Sequence, residues 1–204
     1  MITKLTGRLV RVLDEEIRVE VGPFEYQVLV PEMVRRQVQL LTGQEITLHI
    51  SEYLEGGPNA NKFIPRKIGF LHEAELEFFD LFCTVDKIGA KKALKALAQP
   101  VQDIANAVSR EDAKWLTSLP GIGAATAEQI VTTLKRKVTK FALTTGPRNA
   151  ERTGKGVLFD EIYQSLMKLG LTPLEARSKL DALIASGKPF ATVEDGISLI
   201  FMRG

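Results

Sequence analysis

Soft metal ligands are scarce in this sequence: one cysteine, Cys83, and two histidines, His49 and His72. A lone thiol closes no internal disulfide, and so few sulfur and imidazole groups build no metal site, so the chain is expected to work without metal or cofactor. Cys83 follows Phe78-Phe79-Asp80-Leu81-Phe82, an apolar helical face on which a buried, inert thiol is expected. The histidines stand in a strand-like run and at a helix entrance, with no carboxylate or serine partner patterned around them, and read as structural or solvent-facing. Charge of one sign is also lacking: 27 Lys and Arg against 25 Asp and Glu leave a net charge of +2. Any nucleic-acid contact must therefore come from local placement of cations and backbone amides, not from bulk charge. No apolar run approaches the ~18 residues of a membrane span, and no signal-peptide core follows the N-terminus, so a cytoplasmic protein is expected. A Walker-type Gly-x-x-x-x-Gly-Lys-Ser/Thr loop is missing too, which leaves ATP hydrolysis to another protein.

What is present begins with strands. Gly7 to Leu13 is rich in β-branched and apolar residues, and Asp14-Glu15-Glu16 breaks the run. Ile17-Arg18-Val19-Glu20-Val21 alternates apolar with charged, the period of a half-buried strand. Gly22-Pro23 turns the chain, Tyr26 to Val30 resumes extension, and Pro31 stops it. Met33, Val34, Val38 and Leu41 then recur at helical spacing as far as Gly43. Ile46 to Tyr53 and Lys62 to Phe70 read as two more strands joined by Glu55-Gly56-Gly57-Pro58-Asn59. Five strands with one short helix before the last hairpin fit an OB-type barrel, with an SH3-like barrel as the competitor.

From about Glu73 the period becomes helical. Leu76, Phe79, Phe82 and Cys83 form one stripe, Ala93, Leu94 and Leu97 a second, and Val101, Ile104 and Val108 a third. Ser109, with Asp112 three residues on, is expected to cap a helix through Trp115 and Leu116. Past Pro120-Gly121-Ile122-Gly123, one longer helix is expected to carry Ala127, Ile130, Val131, Leu134 and Val138.

Leu119-Pro120-Gly121-Ile122-Gly123 is the sharpest motif. A Gly-x-Gly hairpin turns tightly with positive φ, and the next helix offers its free N–H groups and the positive end of its dipole. Together they make an anion site suited to a DNA phosphate, extending over Gly121, Ile122, Gly123, Ala124, Ala125 and Thr126. Upstream, Lys87-Ile88-Gly89-Ala90-Lys91-Lys92 is a second copy in which Lys87 takes the place of the first glycine. Taken singly, each hairpin also fits an ordinary glycine C-cap between packed helices. The repetition, with Lys87, Lys91, Lys92 and Lys95 around the first copy, favours a tandem helix-hairpin-helix that holds phosphates without reading bases. A base-excision glycosylase would place a catalytic Asp after the hairpin, and none follows Gly123. A non-catalytic DNA-binding protein is therefore expected, with a pure adaptor as the remaining alternative.

Residues 143–155 are polar, contain Gly, Pro and Thr, show no period, and read as a linker. Beyond them Leu158, Ile162, Leu166 and Leu169 form a stripe ended by Gly170. Thr172-Pro173-Leu174-Glu175 has the composition of a helix start, and Leu180, Leu183 and Ile184 continue that helix. Thr192 caps a last helix with Ile197, Ile200 and Phe201. The whole reads as a multidomain α+β chain: an OB-type barrel (1–66), an all-α tandem helix-hairpin-helix domain (67–142), the linker, and a three-helix bundle (156–204).

The order and spacing of several motifs resemble the RuvA family. They are Gly7-Arg8-Leu9, Val19-Glu20-Val21-Gly22 with Tyr26, Asn106-Ala107-Val108 with Arg110-Glu111, Leu119 to Gly123, Thr126-Ala127-Glu128, and Leu169-Gly170. The resemblance implies a homotetramer, one or two per junction, that holds four-way (Holliday) junction DNA. It implies a third domain that docks on the RuvB ATPase through a surface around Leu166, Leu169, Gly170 and Leu171, with a RuvC-type resolvase as a further candidate partner. It also implies an acidic pin between the last two barrel strands, facing the junction centre, for which Glu55 is the candidate and Glu52 stands one strand turn earlier. The chain departs from the family in three places. Ala124 and Ala125 stand where lysines are common, Lys87 replaces a glycine, and Glu55 is followed by Gly56 and Gly57 in a longer loop where the family has a pair of acidic residues.

Overall fold

In the computed structural model, which describes residues 1–56, 63–143 and 154–202, the period-2 segments become five strands. These are β1 (Lys4–Val12), β2 (Glu16–Val21), β3 (Phe24–Leu29), β4 (Glu45–Glu55) and β5 (Ile64–Phe70). In β1 the inward positions Leu5, Gly7 and Leu9 are buried, while Lys4, Thr6 and Arg8 face out. The strands close in the order β1-β2-β3-β5-β4, antiparallel except for the β3–β5 contact at Leu29 and Ile68. Helix α1 (Glu32–Val38), continued by a 3-10 turn over Gln39–Leu41, lies between β3 and β4 in the chain. That order, with the helix in that place, selects the OB-type barrel over the SH3-like competitor. Gly7 is needed for the tight approach of β1 to β2, because a Cβ there would sit 2.3 Å from the Glu20 carbonyl oxygen.

The helical region follows as α2 (Glu73–Phe82), α3 (Ala90–Ala96), α4 (Val101–Ser109), α5 (Ala113–Leu116), α6 (Ala124–Leu134) and α7 (Thr139–Leu143). His72 starts α2 in a capping box with Glu75, which gives the helix-entrance histidine a structural role. Helix α2 packs on β4 and β5, with the Phe70 and Phe79 rings 5.3 Å apart. One apolar core runs from Leu9 and Ile68 of the barrel through Phe78 and Phe82 to Ile122 and Leu134. Residues 1–146 accordingly form one compact unit.

Two local expectations are corrected. Ser109 is the last residue of α4, and the cap of α5 is Asp112, whose carboxylate accepts the Trp115 N–H at 2.9 Å. Glu111, at φ 58°, reverses the chain between the two helices, so the cap falls three residues later than its composition indicates. The helix after Gly123 ends at Leu134, and Val138 belongs to the turn before α7.

Residues 147–204 form the second compact unit. In it α8 (Gly154–Lys168), α9 (Pro173–Ala185) and α10 (Val193–Phe201) pack on Ile162, Tyr163, Leu166, Leu180 and Ile200. Thr172 and Glu175 form the expected capping box, and Thr192 accepts the Asp195 N–H at 3.1 Å. Residues 144–153 of the stretch read as a linker, and Gly57, Pro58 and Asn59 of the β4–β5 loop, lie outside the described residues. Among the described residues no helix is long and apolar enough to cross a membrane.

Candidate nucleic-acid interface

The two hairpins share the backbone features that a phosphate site needs. Each begins after a buried aromatic or leucine, Phe82 or Leu116, and turns over a buried Val85 or Leu119. Ile88 donates its N–H to the Val85 carbonyl at 3.0 Å, and Ile122 donates to Leu119 at 3.1 Å. The residue before each isoleucine has positive φ, 63° at Lys87 and 78° at Gly121. Gly89 and Gly123 then start α3 and α6 with the same backbone angles, φ −90° and ψ 173°. Ile88 and Ile122 are the buried pegs that seat the turns, while Lys87, Gly89, Gly121 and Gly123 stand in solvent.

Having no side chain, neither glycine caps its helix. Asp112, Thr172 and Thr192 accept amides of their own helices, but among the described residues the first-turn N–H groups behind Gly89 and Gly123 meet no side-chain acceptor. Outward-pointing amides at the positive end of a helix favour an anion. The repeats also meet. Lys92 Nζ donates to Thr126 Oγ1 at 3.3 Å, and these residues hold the same place in their respective copies. Gly121 lies against the Lys92 side chain as well. Contact between equivalent positions is the mark of a local twofold, and it sets the two amide clusters side by side.

Their chemistry differs. Ala90, Lys91 and Lys92 follow the first hairpin, with Lys87 within it, so amides and ammonium groups share that site. Ala124 and Ala125 follow the second, where both are exposed, and Thr126 contributes a hydroxyl. The second hairpin therefore offers amides and a dipole, with no lysine in its own first turn and the Lys92 ammonium of the first copy beside it.

Glu55 is placed where its charge is shared. At the end of β4 its Oε2 accepts Arg66 Nε at 2.6 Å, and its Oε1 pairs with Lys91 Nζ. Lys91 first and Arg66 second hold its carboxyl below the ordinary carboxylate range. The candidate pin carboxylate thus carries two cations. Glu52 is engaged as well, by Lys67 at 3.0 Å and by the Ile2 N–H at 3.0 Å.

In the second unit Leu166 is wholly buried, so it belongs to the core and offers no surface to a partner. Leu169 is 61% exposed and Gly170, at φ 91°, turns the chain beside it, with Leu171 half-buried. Cys83 is half-buried, and burial foremost, with the Asp80 charge, pushes its thiol up to about 12. It stays protonated at neutral pH, as an inert thiol does.

Sequence reading missed two connections. Arg36 is 1% exposed, and its Nη2 donates to the Ala98 carbonyl at 3.0 Å, tying α1 to the segment between α3 and α4. Adjacent arginines on a short helix read as a solvated face, so composition carried no signal for it. The Glu55–Lys91 pair joins residues far apart in sequence, and no local pattern marks such a pair.

An OB-type barrel continued into paired helix-hairpin-helix turns, each with an uncapped glycine at its helix start, defines a class of DNA-binding proteins that grip backbone phosphates rather than read base edges. Residues 79–136 match the SAM-like helix-hairpin-helix tandem family, and residues 1–55 match the RuvA N-terminal domain. Over 100% of its length the chain is 38% identical to the Holliday junction branch migration complex subunit RuvA of Rhodopirellula baltica, covering 99% of that protein. It is 32% identical to the subunit of the same name from Desulfosudis oleivorans, over 100% of this chain and 98% of the relative. A third, from Oceanobacillus iheyensis, is 32% identical over 90% and 89% of the two chains. The chain belongs to the RuvA family.

Proposed function

We propose that this chain is the non-catalytic, junction-holding subunit of a cytoplasmic branch migration complex. The observation that carries the reading is the pair of identical helix starts at Gly89 and Gly123, set side by side through Lys92 and Thr126. Amides of Ile88 to Lys92 and of Ile122 to Thr126, with Lys87, Lys91 and Lys92, hold the phosphates of one DNA arm on both sides of a minor groove. Four copies present four such grips to a four-way junction and keep it open and flat. The surface at Leu169, Gly170 and Leu171 recruits the RuvB ATPase, which supplies the work of moving the arms. Such binding is selective for structure and indifferent to sequence.

Titration of a synthetic four-way junction and a linear duplex of the same arm sequence, over a salt series, tests this. The junction is expected to bind more tightly, and log affinity should fall with log salt at a slope near −0.9 for each of ~4 to 8 phosphates per arm unit. Equal, weak, salt-insensitive binding to both would leave an adaptor whose hairpins only pack helices.

Lys87 gives a separate check because its backbone and its charge pull in opposite directions. A side chain in the left-handed region costs roughly 1–2 kcal/mol, part of which a glycine loses again to chain entropy. Lys87→Gly is thus expected to stabilise the chain by about 0.5–1 kcal/mol while weakening junction binding and flattening its salt slope by about one phosphate. A urea midpoint that falls would show that the lysine stem is packed, and unchanged DNA affinity would remove its charge from the site.

A further inference from the structure

The ion pair between Glu55 and Lys91 has a consequence for DNA binding that neither a bare pin nor a bare lysine has. Lys91 stands in the first turn of α3, beside the amides assigned above to phosphate, and its ammonium is occupied by a carboxylate from the end of β4. That carboxylate is not itself loose. Arg66 on β5 holds its other oxygen at 2.6 Å and reaches Gln27 of β3 at 3.3 Å, and Gln27 in turn donates to Glu16 of β2. The barrel wall thus presents Glu55 at a set position, and the hairpin lysine comes to it. Tyr53, which feels the charges of all three groups, keeps its hydroxyl out of solvent.

We infer that Glu55 is a resident counter-ion that Lys91 exchanges for a DNA phosphate, making it a positioning residue of the first hairpin rather than a group that acts on DNA directly. The inference rests on the reading of Lys91 as a phosphate ligand. Two cations and one carboxylate give the cluster one net positive charge in place of two. In the free protein the lysine is pre-positioned by the barrel, and on binding the phosphate must displace a like-charged competitor. Glu55 therefore lowers affinity for any duplex, and through the same contact it ties the first hairpin to the barrel wall that carries the last two strands.

A double-mutant cycle on the full-length protein separates this from the alternatives, using junction and duplex DNA over a salt series with Glu55→Gln, Lys91→Ala and the pair. Because an exposed carboxylate–ammonium contact is weak, Glu55→Gln is expected to tighten binding only about two- to fivefold and to steepen the salt slope by about one phosphate. In the Lys91→Ala background the same change should have little effect, since no lysine remains to be freed. Equal effects of Glu55→Gln with and without Lys91 would overturn the exchange and leave a carboxylate that repels phosphate by itself, as a pin does. Weaker binding by Glu55→Gln would overturn it too, showing that the pair organises the hairpin and does not compete. Unchanged affinity in Lys91→Ala alone would remove Lys91 from the phosphate site, and that failure belongs to the underlying reading.

Discussion

Replacing Gly123 by aspartate is expected to make the protein slightly more stable and to remove most of its grip on DNA. The backbone at Gly123 has φ −90° and ψ 173°, ordinary values for any residue, and a Cβ there meets nothing within 4 Å. No strain opposes the substitution. An aspartate at an N-cap accepts the N–H groups of the second or third helical residue, here Ala125 or Thr126, and its charge suits the helix dipole. The gain over glycine is about 0.3–1 kcal/mol. Those same amides are the ones assigned to phosphate, and they are now occupied beside a fixed negative charge. Losing charge-assisted hydrogen bonds worth about 1.5–3 kcal/mol should weaken junction binding about 10- to 100-fold. Gly123→Ser, which occupies the amides without the charge, should fall between. Denaturant unfolding alongside junction titration reads both quantities. A variant that loses stability and binding together would mean that Gly123 serves packing, and one that keeps full affinity would mean that these amides do not touch DNA.

Arg36→Ala should be among the most damaging single changes to the fold. The guanidinium lies between the barrel and the helical region, with Nη2 on the Ala98 carbonyl at 3.0 Å and Nη1 3.8 Å from a Glu32 oxygen. Glu32 also accepts Arg35 Nε at 2.8 Å, so one carboxylate serves two buried arginines. Truncating Arg36 strips a buried carbonyl of its donor, leaves Glu32 under-compensated and opens a cavity, losses of about 3–5 kcal/mol together. A urea midpoint shifted well down with an unchanged slope would show this. A loss below about 1 kcal/mol would mean that the apolar core alone joins the two regions. Because that core is continuous, the variant should unfold residues 1–146 as one transition, not as a barrel and a helical domain in turn.

Legibility in the sequence followed the range of the interactions. Alternation in Ile17 to Val21 and in Ile46 to Tyr53 located strands because one face of each is buried, and burial writes a period into the chain. The string Leu119 to Gly123 located the second hairpin because its turn needs a positive φ and its helix start needs an open amide, both met by glycine within a few residues. The first hairpin was legible only as a repeat, since Lys87 adopts the positive φ without being a glycine. Where two short-range signals compete, the pattern misleads. Ser109 and Asp112 are both good caps, and the left-handed Glu111 between them decided for Asp112. The stripe through Leu166 and Leu169 does not say which leucine faces in, as that depends on where α9 and α10 pack. Arg36, Glu55 and Lys91 are illegible for the plainest reason: their partners lie in other elements, and a charged side chain looks the same in sequence whether it meets water, a carbonyl or another charge.

The closed strand order bears on how copies of this chain can meet. Among the described residues the sheet returns on itself from β4 to β1, and the β3–β5 seam, joined at Leu29 and Ile68, is where backbone donors and acceptors are left for another molecule to extend. Self-association by shared sheet, the common route to filaments, has that short seam alone to use among the described strands. Side chains on the barrel's outside, such as Phe24, Leu54 and Phe63, stand well exposed and offer a broader surface for assembly. A contact of that kind can be finite and symmetric, and a single substitution can undo it without touching the fold of the protomer.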